Sequence, residues 1–234
     1  MKIDTELIKS KEFHNAIRAN LLNRSQEYRV LATLRYLYPN KFDTMILGES
    51  PDLQDHQNNI GIEVTIAANW KDMRASREFS KLCQGTFDEK KCKDAISKSG
   101  YSIIHIKENT FAISMFGTSD GEKSVFEESI LRKVQKIPQY KKEFKKLGLA
   151  ILLVEPITSD MEAHFVEWLK DTMKQNGDSY DYVYVISNRF CICYNTKENT
   201  FEKQFLKKHE SVSLSKIARM TAEEQLTLSS IEWL

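Results

Sequence analysis

Apolar residues between positions 25 and 38 recur at intervals of three and four, which is the spacing of one face of a helix. The stripe consists of Val30, Leu31, Leu34, Leu37 and Tyr38. Pro39 follows directly and cannot continue the helix. The pattern predicts an amphipathic helix over residues 25–38, with Glu27 one turn before the stripe and on the same face.

A period of two replaces the helical spacing in residues 60–67, Ile-Gly-Ile-Glu-Val-Thr-Ile-Ala. This alternation predicts a strand with Ile62, Val64 and Ile66 on one face. The other face then carries Glu63 and Thr65 together. Residues 54–59 contain almost nothing apolar, and we expect them to connect a hairpin.

Three further segments complete the predicted core. A charged helix is expected over residues 122–146, with apolar positions at Phe126, Ile130, Val134 and Ile137. The continuous apolar run at 148–154 predicts a central strand that is covered on both faces. Residues 110–116 predict a third strand of the core, paired with residues 101–106 through a turn at 107–110.

The rest of the pattern indicates helices at residues 4–22, 70–83 and 160–175, and a hairpin of residues 182–186 and 190–194. We therefore predict a domain over residues 1–196 with an insertion around 68–100. A C-terminal, partly helical extension is expected over residues 197–234.

Composition narrows the class of protein without specifying it. The chain has 234 residues, 41% of them hydrophobic, which is enough for a sizeable core. No apolar run approaches the roughly 20 residues that span a bilayer, and the N-terminus lacks the apolar core of a signal peptide. A cytoplasmic protein without a membrane anchor is expected.

The overall charge is nearly balanced, with 34 Lys and Arg against 33 Asp and Glu. Its distribution is uneven, because residues 132–146 hold seven basic residues and one acidic residue. Such a segment is typical either of a solvated helix face or of a surface that neutralises phosphates. The candidate nucleic-acid contacts are Lys133, Lys136, Lys141 and Lys145.

Two acidic residues carry the candidate chemistry. Asp52 follows Pro51, which favours a strand end or a turn, and Glu63 lies inside the predicted strand at 60–67. The polar connection between them would let the two carboxylates meet across a strand pair. Paired carboxylates of this kind suit a site for a hard divalent cation.

This arrangement resembles the PD-(D/E)XK nuclease superfamily, in which Pro-Asp, a variable hairpin and Glu-x-Lys lie on adjacent strands. Asp52 matches the aspartate, Glu63 the glutamate, and Thr65 stands at the lysine position. The resemblance spans residues 25–155 and depends mainly on the order helix, hairpin, third strand, helix, strand. It implies an α/β restriction-endonuclease-like core, a mixed central sheet flanked by helices, with helical N-terminal and C-terminal additions.

The resemblance also implies the residues of the site. Asp52 and Glu63 would bind Mg²⁺ or Mn²⁺ together with the backbone carbonyl of Val64. Glu27 is the candidate for a third carboxylate supplied by the first helix. The alternative for Glu27 is a favourable interaction with the helix dipole.

Thr65 departs from the family pattern, because a threonine hydroxyl cannot replace a cationic lysine. Some branches of the superfamily have Glu-Val-Thr and take the lysine from a neighbouring helix. Lys136 is then the first candidate substitute and Lys71 the second, with Lys133 and Lys81 in reserve. Thr65 would hydrogen-bond a water of the site.

The expected function is a metal-dependent nuclease that hydrolyses phosphodiester bonds, with DNA as the expected substrate. The first alternative is a nuclease-like module that has lost catalysis and binds nucleic acid or a protein partner. The second is an unrelated α/β protein in which Asp52 caps a turn and Glu63 pairs with Arg74 or Arg77. Whether the chain forms a homodimer stays open.

Overall fold

A computed structural model describes residues 13, 17–68, 70–85, 87–107, 110–114, 122–153, 159–174 and 179–228. These residues form an α/β protein with a seven-stranded mixed sheet flanked by helices and a separate two-stranded sheet. None of the helices within these ranges is long and apolar enough to cross a membrane.

The helices are α1 (Leu22–Leu37), α2 (Trp70–Gln84), α3 (Glu89–Lys98), α4 (Glu122–Val134), α5 (Ile137–Tyr140), α6 (Ser159–Lys174) and α7 (Lys208–Ala222). A short 3-10 helix at Ala19–Leu21 precedes α1. The strands are β1 (Ile46–Leu47), β2 (Leu53–Asp55), β3 (Ile60–Ala67), β4 (Ser102–Lys107), β5 (Thr110–Ser114), β6 (Lys146–Leu153), β7 (Tyr182–Ile186), β8 (Phe190–Asn195) and β9 (Thr200–Phe205).

The large sheet has the strand order β1-β2-β3-β6-β7-β8-β9. Its three central strands, β3, β6 and β7, are parallel, and the outer strands pair antiparallel. Residues 147–153 of β6 are all buried, which confirms the central strand predicted from the apolar run. Val154, the last residue of that run, lies outside the described residues.

The two faces of the sheet bury two different cores. Ile62 and Val64 of β3 pack on one face with α1 and α7. Leu149 and Ile151 of β6 pack on the other with α4, α5 and α6. Leu149 is the register partner of Glu63 and Ile151 that of Thr65, so these two polar side chains share the second face. The predicted alternation of β3 is confirmed.

The position of the predicted third strand is wrong. β4 and β5 pair with each other as expected, with Ser102 opposite Ser114, but they form their own two-stranded sheet. β3 is hydrogen-bonded to β2 on one side and to β6 on the other, so β5 cannot pair with the strand that carries Glu63. Residues 115–116 lie outside the described residues.

The helix predicted over 122–146 is also interrupted. Pro138 lacks the N–H that a continuing helix needs, and it occupies the start of the separate short helix α5. α4 therefore ends at Val134, and the last residue of the predicted helix, Lys146, is the first residue of β6.

The segment after residue 196 joins the same sheet and core. β9 pairs with β8 along its whole length, and Leu214 and Ile217 of α7 lie in the cluster that contains Leu34 of α1. The predicted N-terminal helix over residues 4–22 falls mostly outside the described residues, as do residues 231–234.

Leu214 tests whether α7 belongs to the main core. Leu214→Ala removes a fully buried side chain, so we expect the free energy of unfolding to fall by about 2–5 kcal/mol. The exposed control Val212→Ala, on the same helix, should change it by less than about 0.5 kcal/mol. Urea denaturation followed by far-UV circular dichroism measures both, and an unchanged midpoint for Leu214→Ala would contradict a shared core.

Candidate active site

The β2–β3 hairpin places Asp52 beside the middle of β3. Leu53 lies opposite Ile62, and Asp52 comes directly before β2. Its Oδ2 atom accepts a hydrogen bond of 2.7 Å from the backbone N–H of Val64. The turn occupies residues 56–59, two residues shorter than predicted, because Gln54 and Asp55 still pair with β3.

Gly61 permits the close approach of the segment that carries Asp52. A Cβ atom at this position would lie 2.7 Å from Cγ of Pro51 and 3.1 Å from the Phe144 ring. Pro51, whose peptide bond with Ser50 is cis, therefore packs directly on the β3 backbone. A larger residue at position 61 would push Pro51 and Asp52 away from the strand.

Glu63 is the centre of the site. It is only 1% exposed, yet its carboxylate accepts hydrogen bonds from three side chains. Lys133 and Lys136 donate to Oε1 over 2.5 and 2.7 Å, and Tyr140 donates to Oε2 over 2.6 Å. Burial acts to raise the pKa of Glu63, but these donors outweigh it and hold the pKa below its ordinary value.

The break between α4 and α5 brings both lysines to Glu63. Lys133 lies in the last turn of α4 and Lys136 precedes the first residue of α5. Burial acts to lower the pKa of Lys136, but its bond with Glu63 raises the pKa above the ordinary value. Lys136 is therefore a cation at neutral pH and donates a hydrogen bond to Glu63.

Two more carboxylates lie in the electrostatic neighbourhood of Glu63. Burial and then the charge of Glu63 raise the pKa of Asp52, against the Val64 N–H and the lysines. The pKa of Glu27 is raised to about 7, first by burial and then by Asp52, with a smaller contribution from Glu63. Lys133, Lys136 and Arg24 oppose the charge of the three carboxylates, so burial and mutual repulsion rather than an excess of negative charge raise the pKa values of Asp52 and Glu27.

Two tyrosines complete the site, and sequence reasoning assigned neither a role. Tyr140 donates to Glu63. Its position four residues after Lys136, which puts both on one helix face, could have indicated this contact. Tyr180 is buried, and its hydroxyl donates to the backbone carbonyl of Lys133 over 2.8 Å. No pattern pointed to Tyr180, because it lies in a connecting segment just before β7.

The four candidate lysines differ in whether they contact Glu63. Lys136 meets Glu63 as predicted, and Lys133, a reserve candidate, does so as well. Lys81 instead pairs with Glu78 of its own helix over 2.6 Å. Lys71 is an exposed residue in the first turn of α2, and within the described ranges the side chains that hydrogen-bond Glu63 are Lys133, Lys136 and Tyr140.

The remaining predicted residues have these positions. Thr65 is buried on the same face as Glu63, two residues along β3. Lys141 and Lys145 are exposed in the segment between α5 and β6. The alternative of an unrelated α/β protein expected Glu63 to pair with Arg74 or Arg77. The ionic partners of Glu63 among the described residues are instead Lys133 and Lys136.

The donor chemistry of the site fits a hard divalent cation, since Glu27, Asp52 and Glu63 supply oxygen ligands and the first two have raised pKa values. Their spacing is looser than a formed metal centre. No three His, Cys, Asp or Glu side chains of the described residues are grouped closely enough to hold a metal. The backbone carbonyl of Val64 was predicted to bind the metal as well. The contact that the structure shows for Val64 is made by its backbone N–H, which donates to Asp52.

Comparisons with protein-family models, curated proteins and solved structures find no significant match to this chain. Its function must therefore be inferred from the geometry around Glu63. That geometry combines three carboxylates with two ammonium groups, one from the end of α4 and one directly before α5.

The raised pKa of Glu27 predicts a pH-dependent cost to folding. The folded chain holds the Glu27 proton more tightly than the unfolded chain, so stability from this group is complete below about pH 4.5 and is lost as the pH rises through about 7. Glu27→Gln should therefore raise the free energy of unfolding at pH 8 by about 1–3 kcal/mol, allowing for solvent screening.

Denaturation at pH 4.5 and pH 8 provides the measurement. The gain from Glu27→Gln should be small at pH 4.5, where the folded chain carries the protonated carboxyl and the unfolded chain carries it in about half of the molecules. Glu198→Gln, at an exposed position, serves as the control and should have little effect at either pH. An equal effect of Glu27→Gln at the two pH values would refute the raised pKa.

Proposed function

We propose that this chain is a metal-dependent nuclease with a restriction-endonuclease-like core, and that it hydrolyses phosphodiester bonds in DNA. The observation that carries the proposal is the contact of Lys133 and Lys136 with Glu63. Thr65 leaves the lysine position of the PD-(D/E)XK pattern without a cation. Two lysines from the following helices supply cations at the same carboxylate.

The arrangement of the sheet supports the same proposal. Asp52 and Glu63 lie on neighbouring chain segments of one hairpin, and Glu27 comes from the helix that precedes it. The connection between the parallel strands β3 and β6 ends with α4 and α5, the segment that carries the lysines. The proposal is supported by the contacts of both lysines with Glu63 and of Asp52 with the neighbouring Val64 N–H, although the predicted third strand does not join the sheet.

Asp52, Glu63 and Glu27 would hold Mg²⁺ or Mn²⁺ through their carboxylate oxygens. When bound, such an ion acidifies water and neutralises charge on a phosphate. The chain itself supplies ammonium donors from Lys133 and Lys136, which would stabilise the additional negative charge on the phosphate in the transition state. Tyr180 holds the Lys133 backbone in place, and Tyr140 orients Glu63.

DNA would approach along the basic segment that follows the site. Lys141 and Lys145 are exposed there, in continuation of Lys133 and Lys136. Each phosphate that such a lysine neutralises releases counterions, so binding is expected to weaken steeply with salt. We propose Lys141 and Lys145 as backbone contacts that position the substrate without reading its sequence.

One observation favours a second candidate function, a nuclease-like module without catalysis. The Glu63 carboxylate already has three hydrogen-bond donors, and its charge is compensated by two lysines. A buried carboxylate satisfied in this way needs no metal to be stable. The same basic segment would then bind nucleic acid, or a protein partner, without cleaving it.

Replacing the lysines tests the proposed roles. Lys133→Met and Lys136→Met should each lower cleavage of DNA with Mg²⁺ by about 10²–10³-fold, because each removes a donor to the transition state. Metal affinity, measured by calorimetric titration of Mn²⁺, should change much less, since the carboxylates remain.

Two further lysines sharpen this experiment. Lys90→Met, an exposed position on α3, controls for loss of a positive charge and should leave cleavage unchanged. Lys71→Met tests the other candidate from the sequence. Full activity in both Lys133→Met and Lys136→Met, or a loss confined to Lys71→Met, would show that the lysines at Glu63 do not serve catalysis.

Replacing the carboxylates separates an enzyme from a binding module. Supercoiled, linear and single-stranded DNA, and RNA, are incubated with Mg²⁺ or Mn²⁺, and we expect EDTA-sensitive cleavage that Asp52→Asn and Glu63→Gln abolish. Binding is measured in parallel by fluorescence anisotropy at several salt concentrations. Salt-sensitive binding without cleavage would favour the inactive module, and neither binding nor cleavage would favour an unrelated α/β protein.

A further inference from the structure

Arg29 is a largely buried cation without an acidic partner. Its guanidinium donates to Oγ of Ser215, to Oδ1 of Asn188 over 2.8 Å and to Oγ of Ser211 over 3.1 Å. Its Nε atom is buried and has no hydrogen-bond partner. Burial lowers the pKa of Arg29 to about 10, and no carboxylate of the described residues opposes that effect. The side chain is therefore charged, and its hydrogen-bond partners among the described residues are all neutral.

This arrangement is unusual in its energetics. Taking a guanidinium out of water costs several kcal/mol, and proteins normally compensate a buried cation with a carboxylate. Two hydroxyls and an amide satisfy part of the hydrogen-bonding capacity of Arg29, but they leave its positive charge without a counterion. An anionic ligand would supply that counterion.

Two cavities border Arg29 and provide the space for a ligand. The volumes are about 230 Å³ and 700 Å³, and Asn188 and Ser215 line both together with Arg29. The larger volume lies in the usual range for small-ligand pockets. Arg189 and Lys208 also line the larger cavity, and no acidic side chain of the described residues lines either one.

The first turn of α7 adds to the positive potential of the larger cavity. Lys208 and Ser211, both in that turn, line it. The acidic residue of the same turn, Glu210, does not, because its carboxylate accepts the backbone N–H of Lys207 over 2.7 Å. An apolar wall lies beside the charges, where Phe205 is 71% exposed and Val212 is 47% exposed.

The cavities are separate from the site at Glu63. Glu27 and Arg29 are two positions apart on α1, which turns their side chains about 200° around the helix axis. Arg29 contacts α7 and the β7–β8 turn, whereas Glu63 contacts α4 and α5. A ligand at Arg29 would not use the proposed catalytic groups.

We propose that Arg29, Asn188 and Ser211, together with Arg189 and Lys208, bind the phosphate group of a small organic molecule, whose apolar part lies against Phe205 and Val212. Phosphate suits the cavity better than carboxylate for two reasons. Three cationic side chains line the larger cavity, which matches a dianion better than a monoanion. Arg29 keeps N–H groups that Ser211, Ser215 and Asn188 do not use, and Arg189 and Lys208 add donors from other directions, as the oxygens of a phosphate require.

Calorimetric titration in EDTA, without divalent metal, tests the site with four probes: inorganic phosphate, adenosine 5′-monophosphate, adenosine and acetate. We expect inorganic phosphate to bind, the nucleotide to bind more tightly than phosphate, and adenosine and acetate to bind weakly or not at all. Arg29→Met should weaken nucleotide binding by about 10- to 100-fold, the effect of losing a hydrogen bond to a charged group. Arg77→Met, which removes an exposed arginine of α2, is the matched control and should leave binding unchanged.

Absence of binding by phosphate and nucleotide, or equal nucleotide affinity in Arg29→Met and the unmodified chain, would overturn the proposal. If the nucleotide binds no more tightly than inorganic phosphate, the part of the proposal that assigns an organic group to the apolar wall is refuted. If circular dichroism shows that Arg29→Met does not fold, the exposed pair Arg189→Met and Lys208→Met decides instead, with a similar loss supporting the site and unchanged affinity refuting it.

Discussion

The pairing of the buried Glu63 carboxylate with two ammonium groups is the constraint that organises this molecule. A carboxylate inside a sheet would cost several kcal/mol without partners. Lys133 and Lys136 provide the opposite charge, so α4 and α5 are held against the face of β3. Tyr180 extends the constraint by bonding the Lys133 backbone to the start of β7. The electrostatics of one side chain thus connect the hairpin, the crossover helices and the centre of the sheet.

The molecule holds partly buried charged groups of opposite sign in two places. Near Glu63, burial and mutual repulsion raise the pKa values of Asp52 and Glu27, and the proposed cation would oppose both effects. Near Arg29, the hydrogen-bond partners of the guanidinium are neutral, and the proposed phosphate would supply the missing opposite charge. α1 contributes to both regions from different sides. A ligand of opposite charge at either place, as proposed above, would offset part of the cost of burying these groups.

The elements that could be predicted from sequence are those whose pattern is local. The period of two in β3 needed only eight consecutive residues, and it correctly placed Glu63 and Thr65 on one face. The helix after Glu63, the apolar strand β6 and the β7–β8 hairpin followed from patterns of similar length. Lys136 was selected because a missing cation at Thr65 required a substitute on the next helix, and it does contact Glu63. The catalytic roles of these residues stay predictions.

Sequence by itself therefore determined the main helices and strands, the hairpin that joins Asp52 to Glu63, and the short list of candidate lysines. Only the tertiary structure decided which lysines reach Glu63, that β4 and β5 leave the main sheet, and that the segment after residue 196 completes it. It alone revealed the environment of Arg29, whose partners Asn188 and Ser215 are 159 and 186 residues away in the chain. The physical reason is that periodicity reports which face of an element is buried, whereas strand order and ion pairing depend on which distant segments compete for that face.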